Sequence, residues 1–432
     1  MSSYFEHIAR IALDSRVIYF RCDPPIQDFT KKYEGSYIIS NEKETVEYPA
    51  DSSSFQQLFA SLRRTIFDKD HIVFTWDIKR FMSYAQKFKR RPLRPLEGHV
   101  IDLKYGSEYL GLLRKSPPES FLEALTASNE IVSNEKWKKI SQVVHMPLAL
   151  EVLPVMETRG VFGSDPSKVL YSSYEIEGSV NGRMTTPKPG KDFLTVHAMK
   201  LSDKVCLRPR RADERETHIF IEIDFTNMEV AMLQWLSEDE DLKAALEGPT
   251  DFYESLLEVD CTPDQKRKLG KSFFLPVVYG LKAAGLAKRL KVEESVADTL
   301  ISGLNERFPA SFQWLDDKEA ELAEDSIATD YLGRKRDFSN EPPYLRRNFE
   351  VQSVAATVCL EKLCQLYKAL PDHVLFHIHD GYFLTCRLGD APRVMRIACQ
   401  VLESESGICP GLRLRTKCQA GPTLLEMITL RG

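Results

Sequence analysis

Residues 221–232, IEIDFTNMEVAM, constrain this chain more than any other stretch. Ile221 and Ile223 alternate with Glu222 and Asp224, the period-two pattern of a strand. From about Asn227 the pattern turns helical. A buried strand that ends on a carboxylate presents that group at a sheet edge. There Asp224 can cap the following helix or hold a cation, and this stretch alone leaves both readings open. Glu229, five residues further on, falls on the first turns of the helix.

Two segments downstream complete a chemical set. They are residues 267–280, RKLGKSFFLPVVYG, and residues 376–383, FHIHDGYF. Together the three resemble motifs A, B and C of family A DNA polymerases, the bacterial polymerase I family, in type, order and spacing. The resemblance runs from about Pro147 to the C-terminus. It implies an α+β palm and fingers, with the fingers at about 240–325, and a site for phosphoryl transfer.

That chemistry needs two divalent ions roughly 3.5–4 Å apart. One lowers the pKa of the attacking 3′-hydroxyl, and both stabilise charge on the transferring phosphate. Two aspartates from different strands must then meet. Asp224 is one candidate. Asp380 is the other, following the apolar residues 374–376 and opening a hairpin at Gly381. By resemblance the backbone carbonyl of Phe225 is a further ligand. Read without the family, residues 377–380 could be a turn with a chance histidine pair or a zinc site, but no third and fourth ligands lie nearby. Gly381 stands where the family usually has Glu, which removes an auxiliary carboxylate and leaves both principal ligands. Lowered activity or an altered metal preference is the expected consequence.

Arg267, Lys271, Leu275 and Tyr279 recur every four residues, a drift of about 40° per step that leaves all four on one broad helix face. Two cations one turn apart, followed by apolar positions, suit a nucleotide lying along the helix, phosphates on the cations and base on the apolar end. Basic pairs at this spacing also occur on solvated helices. The resemblance selects the nucleotide reading and gives Lys271 a catalytic part beside Asp224 and Asp380. Leu275 replaces the family's Phe or Tyr. Pro276 replaces Gly in mid-helix, where proline costs about 3 kcal/mol or kinks the helix.

Other residues carry roles only through the resemblance. Glu229 matches the residue that excludes a ribose 2′-hydroxyl, and Asn227 stands where Gln is usual. Tyr253, in Asp251-Phe252-Tyr253, replaces a phosphate-binding His. Arg183, in a Gly-Arg-Met-Thr-Thr turn, matches a minor-groove contact at the primer terminus, where every base pair offers acceptors. Thr329, Arg334 and Arg336 match a basic hairpin against the DNA backbone. Asn348 and Gln352 share a helix face and match a template and primer contact, and His379 is a further DNA contact.

Residues 1–115 alternate strand-like runs, at 17–20, 71–74 and 99–102, with helical ones at 55–67 and 108–114, and a proline loop at 90–95. The order resembles the 3′–5′ exonuclease-type, RNase H-like α/β domain that precedes the polymerase in this family. The Asp-x-Glu pair expected on its first strand is absent, as is the family's later Tyr-x3-Asp motif. Asp77 and Asp102 then read as surface or capping residues, and the domain as an inactive scaffold. Residues 116–146, with a charged stretch at 134–139, read as a helical connector. Residues 147–165 resemble the helix that enters the polymerase part, 147–432. Only 166–180 then precede the Arg183 turn, too few for a thumb of two long helices.

The expectation is a template-directed DNA polymerase that adds dNMP to a primer 3′ end with two Mg2+ ions, Mn2+ being possible. Its partners would be primer-template DNA and dNTPs, with room for an accessory protein in place of the thumb. It would not proofread and would release DNA early. A single-subunit RNA polymerase and a non-catalytic nucleic-acid-binding protein are the alternatives. Glu229 with Asn348 and Gln352 argues against the first, and retention of Asp224, Asp380, Arg267 and Lys271 against the second. The net charge of −5 announces no general affinity for nucleic acid, so a local basic groove must supply it. The cysteines match no zinc spacing, and the first residues look like neither a signal nor a transit peptide. No membrane-length apolar run occurs, and the cysteines read as reduced thiols of an intracellular compartment, cytoplasm or nucleoid, or host cytoplasm for a viral protein.

Overall fold

The computed structural model describes residues 17–25, 33–49, 72–77, 100–110, 116–133, 153–158, 169–172, 179–185, 207–209, 218–257, 261–331 and 333–431. The first five strands, β1 (Val17–Asp23), β2 (Ser36–Ser40), β3 (Thr45–Pro49), β4 (Ile72–Thr75) and β5 (Val100–Asp102), form one sheet in the order β3-β2-β1-β4-β5. β1 is antiparallel to β2, and β2 to β3, whereas β4 and β5 run parallel to β1. Ile18, Tyr19 and Phe20 are all buried, the continuous apolar run of a strand covered on both faces. The strands expected at 17–20, 71–74 and 99–102 are present. β2 and β3 were not legible beforehand.

Helix α1 (Leu103–Leu110) starts earlier than the helix expected at 108–114. Asp102 Oδ1 accepts the Lys104 N–H at 3.0 Å and sets the start. Asp77 and Asp102 are buried, which corrects their reading as surface residues, although Asp102 does cap. Lys104 Nζ pairs with Asp77 Oδ2 at 2.7 Å. The connector contains helix α2 (Phe121–Val132), capped by Ser120 and burying Ala124, Ala127 and Ile131. The helix expected at 55–67, the loop at 90–95 and the charged stretch at 134–139 lie outside the described residues.

The expected entry helix over 147–165 is corrected. Its described part is strand β6 (Leu153–Thr158), antiparallel to β7 (Val169–Ser172) and β8 (Leu207–Pro209). Pro154 would break a helix interior. In β6 it pairs with Tyr171, next to a shift of register.

The central strand is β9 (His218–Thr226), longer than the 221–224 expected. Ile221, Ile223 and Phe225 are buried while Glu222 and Asp224 stay partly open, so the alternation sorts core from site. Asn227 then leads into α3 (Met228–Ser237) with a left-handed φ of 55° and no side-chain cap bond. Helices α4 (Glu240–Glu247), α5 (Pro263–Val278), α6 (Ala283–Leu290), α7 (Glu294–Arg307) and α8 (Pro309–Glu324) follow. Thr262 and Gln265 form a reciprocal capping box at the start of α5. α5 runs through Pro276 as one helix without a break.

Hairpin β10 (Ile327–Thr329) and β11 (Lys335–Asp337) leads to the long helix α9 (Pro343–Ala369). Hairpin β12 (Val374–Ile378) and β13 (Gly381–Arg387), helix α10 (Ala391–Leu402), β14 (Arg415–Gly421) and β15 (Ile428–Arg431) complete the chain. The sheet order is β12-β13-β9-β14-β15, antiparallel throughout. α9 packs on α3 and α10 and buries Val351, Val354, Val358, Leu363 and Leu366 in the core it shares with Ile221 and Ile223. Among the described residues no helix is long and apolar enough to cross a membrane.

Candidate active site

The β9–β13 ladder sets Asp224 opposite Gly381, so Asp224 and Asp380 meet by register alone. Asp380 ends the two-residue loop between Ile378 and Gly381, entered through His379 at φ 55°. The loop is tied to β9 by the Phe225 N–H, which donates to the Asp380 carbonyl at 3.4 Å. A Cβ on Gly381 would lie 2.5 Å from Asp224 Oδ1. In this structure a larger residue there would have to shift the Asp224 carboxylate. The Phe225 ring is buried edge-on against Tyr382 at 5.7 Å.

Burial, then the neighbouring charges of Asp380 and Glu222, push the Asp224 carboxyl up to about 7, against the pull of Lys271 and Lys417. Asp380 is also raised, mainly by burial. Two carboxylates held in one place with their charge incompletely offset suit a divalent cation. Among the described residues no three His, Cys, Asp or Glu groups converge on one point. The donors are two hard oxygen groups, which fits Mg2+, an ion that keeps waters and shares substrate phosphates.

Glu229 is gripped from two sides: its carboxylate accepts hydrogen bonds from the Arg183 guanidinium and the Tyr279 hydroxyl. The structure therefore joins the Arg183 turn, the start of α3 and the end of α5. Burial and Glu229 push the Tyr279 hydroxyl well up. Gln352 Oε1 accepts from Asn181 Nδ2. Asn348, on the same face of α9, is buried, and among the described residues neither its Oδ1 nor the buried Asn227 Oδ1 has a hydrogen-bond partner. A cavity of about 60 Å³ opens between Arg183, Glu229, His379 and Asp380, with Met228 and Cys359 among its lining. The His379 side chain reaches the surface yet is partly desolvated by its surroundings, which, with the Arg183 charge, lowers its pKa.

Gly270 brings α5 onto the preceding segment so closely that a Cβ would lie 2.1 Å from the Tyr253 carbonyl oxygen. Arg267 Nε pairs with Asp251 Oδ2 at 3.2 Å, and its guanidinium lies 5.7 Å from the centre of the Tyr253 ring. Lys271 is exposed and acts on both aspartates. Leu275 is half-buried. Tyr253 needs correction as a phosphate contact: it is buried, its ring edge-on to Phe252 and Phe274 because Gly270 draws the helix over it. It backs Arg267 instead.

Arg334 is the second correction. It was expected on the DNA backbone, yet it is 2% exposed and paired with the equally buried Asp330 at 3.2 Å. It also donates to the Ser353 carbonyl and Thr357 Oγ1 of α9. A Cβ on Gly182 would lie 2.5 Å from its Cζ. Arg334 thus locks the hairpin, the Arg183 turn and α9 together. Thr329 is exposed and Arg336 half-buried on the same hairpin.

Sequence reasoning missed Asn181, Asp251 and Lys417. The alternation of β14, with Thr416 and Cys418 buried, would have exposed Lys417, but only register sets it opposite Asp224.

Residues 119–426 match the profile of DNA polymerase family A. DNA polymerase I of Helicobacter pylori (strain ATCC 700392 / 26695) is 22% identical over 419 residues, covering 88% of this chain and 46% of that protein. DNA polymerase I of Rhizobium leguminosarum is 22% identical over 275 residues, covering 58% of this chain and 26% of that protein. The chain therefore spans less than half the length of these relatives. The fold is similar to that of the POL domain of Pol1 from M. smegmatis, solved in complex with DNA primer-template and dNTP, with a TM-score of 0.66 at 12% identity over 99% of this chain and 98% of that one.

Proposed function

This chain belongs to DNA polymerase family A, and on that premise we propose that it is a DNA-directed DNA polymerase that adds dNMP to a primer 3′ end. The observation that carries the reading is the meeting of Asp224 and Asp380 across the β9–β13 register, within reach of the Lys271 charge. These aspartates, with the Phe225 carbonyl, would hold two Mg2+ ions, with Mn2+ an alternative. When bound, the ions lower the pKa of the primer hydroxyl and stabilise charge on the transferred phosphate.

The chain's own side chains bind and orient. Arg267 and Lys271 receive the triphosphate, and Leu275 and Tyr279 meet the base. Glu229, pinned by Arg183 and Tyr279, closes the space beneath C2′ and selects deoxyribose, with Asn227 beside it. Arg183, Asn348, Gln352 and His379 line the path of the primer terminus and template. Thr329 and Arg336 contact the DNA backbone.

The mixed sheet β1–β5 supports an exonuclease-like domain over residues 1–115, followed by a connector at 116–146 and the polymerase part at 147–432. Its likeness ends at the fold: Asp77 is committed to Lys104, and β1 carries Arg21-Cys22-Asp23 where two acidic ligands are needed. The domain does not proofread. The short span 166–180 supports a thumb that is reduced or absent, with low processivity and a place for an accessory protein. The protein acts inside the cell.

Primer extension tests this reading. Wild type should extend a primed template with dNTPs and Mg2+, and Asp224→Ala and Asp380→Ala should each abolish it. Extension by either variant near the wild-type rate would overturn the site. Faster incorporation of rNTPs than dNTPs would overturn the substrate.

A further inference from the structure

Helix α5 holds the nucleotide face on both sides of a proline. Arg267 and Lys271 lie before Pro276, and Tyr279 lies after it. Pro276 has no N–H, so the carbonyl of Ser272, four residues earlier, loses its helical donor, and the pyrrolidine ring crowds it. Such a site is where helices kink. A kink here would swing the Arg267–Lys271 half away from Tyr279 and from the two aspartates.

The helix is nevertheless continuous, and the missing donor is replaced. Arg289 Nε, from α6, donates to the Ser272 carbonyl at 2.9 Å. The C-terminal half is anchored separately: the Leu281 N–H donates to the Pro276 carbonyl at 2.8 Å and Arg347 Nε to the Val278 carbonyl at 2.9 Å. Ser272 adjoins Lys271, so the Arg289 bond falls on the turn that carries the proposed phosphate contact.

Resting on the proposed function, we propose that Arg289 is a positioning residue for nucleotide binding: its guanidinium substitutes for the N–H that Pro276 lacks and keeps Lys271 in line with Tyr279. It touches neither nucleotide nor metal. It is also exposed, so a solvated arginine with water serving Ser272 is the opposing account.

A double-mutant cycle separates the two. Pro276→Ala restores a backbone donor to the Ser272 carbonyl and should make Arg289 dispensable. In the full chain with saturating primed template, Arg289→Ala should raise the dNTP KM roughly fivefold with kcat little changed, the size of one hydrogen bond. In the Pro276→Ala background the same replacement should change KM by less than about twofold. Arg289→Lys, which keeps the charge but not the Nε geometry, should behave like Arg289→Ala. Equal KM effects in both backgrounds, or none in either, would overturn the proposal in an enzyme that extends primers. Melting midpoints of the same four proteins need no activity. A loss from Arg289→Ala confined to the Pro276 background upholds the clamp, and an equal loss in both overturns it. Were the wild type itself unable to extend primers, the proposed function would fall, and the melting cycle would still decide the clamp.

Discussion

Without divalent metal at pH 8, Asp224→Asn should make the protein more stable. The Asp224 carboxyl has its pKa raised from an ordinary 3.8 to about 7, first by burial and then by Asp380 and Glu222. A raised pKa means that the folded state binds the proton more tightly than the unfolded chain. Stability is then highest below about pH 4, falls as pH rises toward 7, and levels off above, where the folded protein must hold the bare charge. The interval corresponds to about 4 kcal/mol, an upper figure because Asp224 and Asp380 share the same field. Asn mimics the protonated acid, so the variant should match wild type near pH 4 and exceed it by up to that amount at pH 8. Urea unfolding in EDTA across pH 4–8 measures the difference, since carboxylates remote from the pair cancel between the two proteins and relief of Asp380 in the variant acts with the same sign. Millimolar Mg2+ at pH 8 should stabilise wild type more than the variant. A variant no more stable than wild type at pH 8 in EDTA, or a difference independent of pH, would refute the buried-pair account of the site.

Glu229→Ala should lower the ratio of dNTP to rNTP incorporation by roughly tenfold or more, because it removes a carboxylate fixed by two donors; an unchanged ratio in single-nucleotide extension would place the sugar elsewhere. Arg334→Met should destabilise by about 3–5 kcal/mol in urea melts, since it strands the buried Asp330 charge, whereas Arg336→Ala should leave stability unchanged and reduce the salt slope of DNA binding by about one. Gly270→Ala should raise the dNTP KM and lower the melting temperature together, because its Cβ meets the Tyr253 carbonyl; wild-type values for both would show that α5 has room to shift. Incubation with labelled single-stranded DNA and Mg2+ should give no 3′ shortening, and shortening that survives Asp224→Ala would revive the N-terminal domain as a nuclease.

The spacing of ligand-type residues was legible before any coordinates because it is local. Alternation along 221–224 marked β9, four-residue steps marked the face of α5, and Gly381 after Asp380 marked a tight hairpin. Each is set by backbone periods of two or 3.6 residues that any window of sequence displays. Family likeness carried the pairing of those windows, and it misled where the same residue type serves a different environment. Arg334 and Tyr253 look like contacts in sequence and are buried struts in the fold, since burial depends on what packs from other parts of the chain. Pro154 overruled the expected entry helix for a local reason that the motif match obscured. Only the tertiary structure decided which strands are neighbours, and hence that Asp224 faces Gly381 and Lys417, that Glu229 is held between Arg183 and Tyr279, and that Arg289 stands in for the absent N–H of Pro276. These are contacts across tens to more than a hundred residues of chain. They are chosen by sheet register and helix packing, quantities that belong to the whole chain and to no single segment of it.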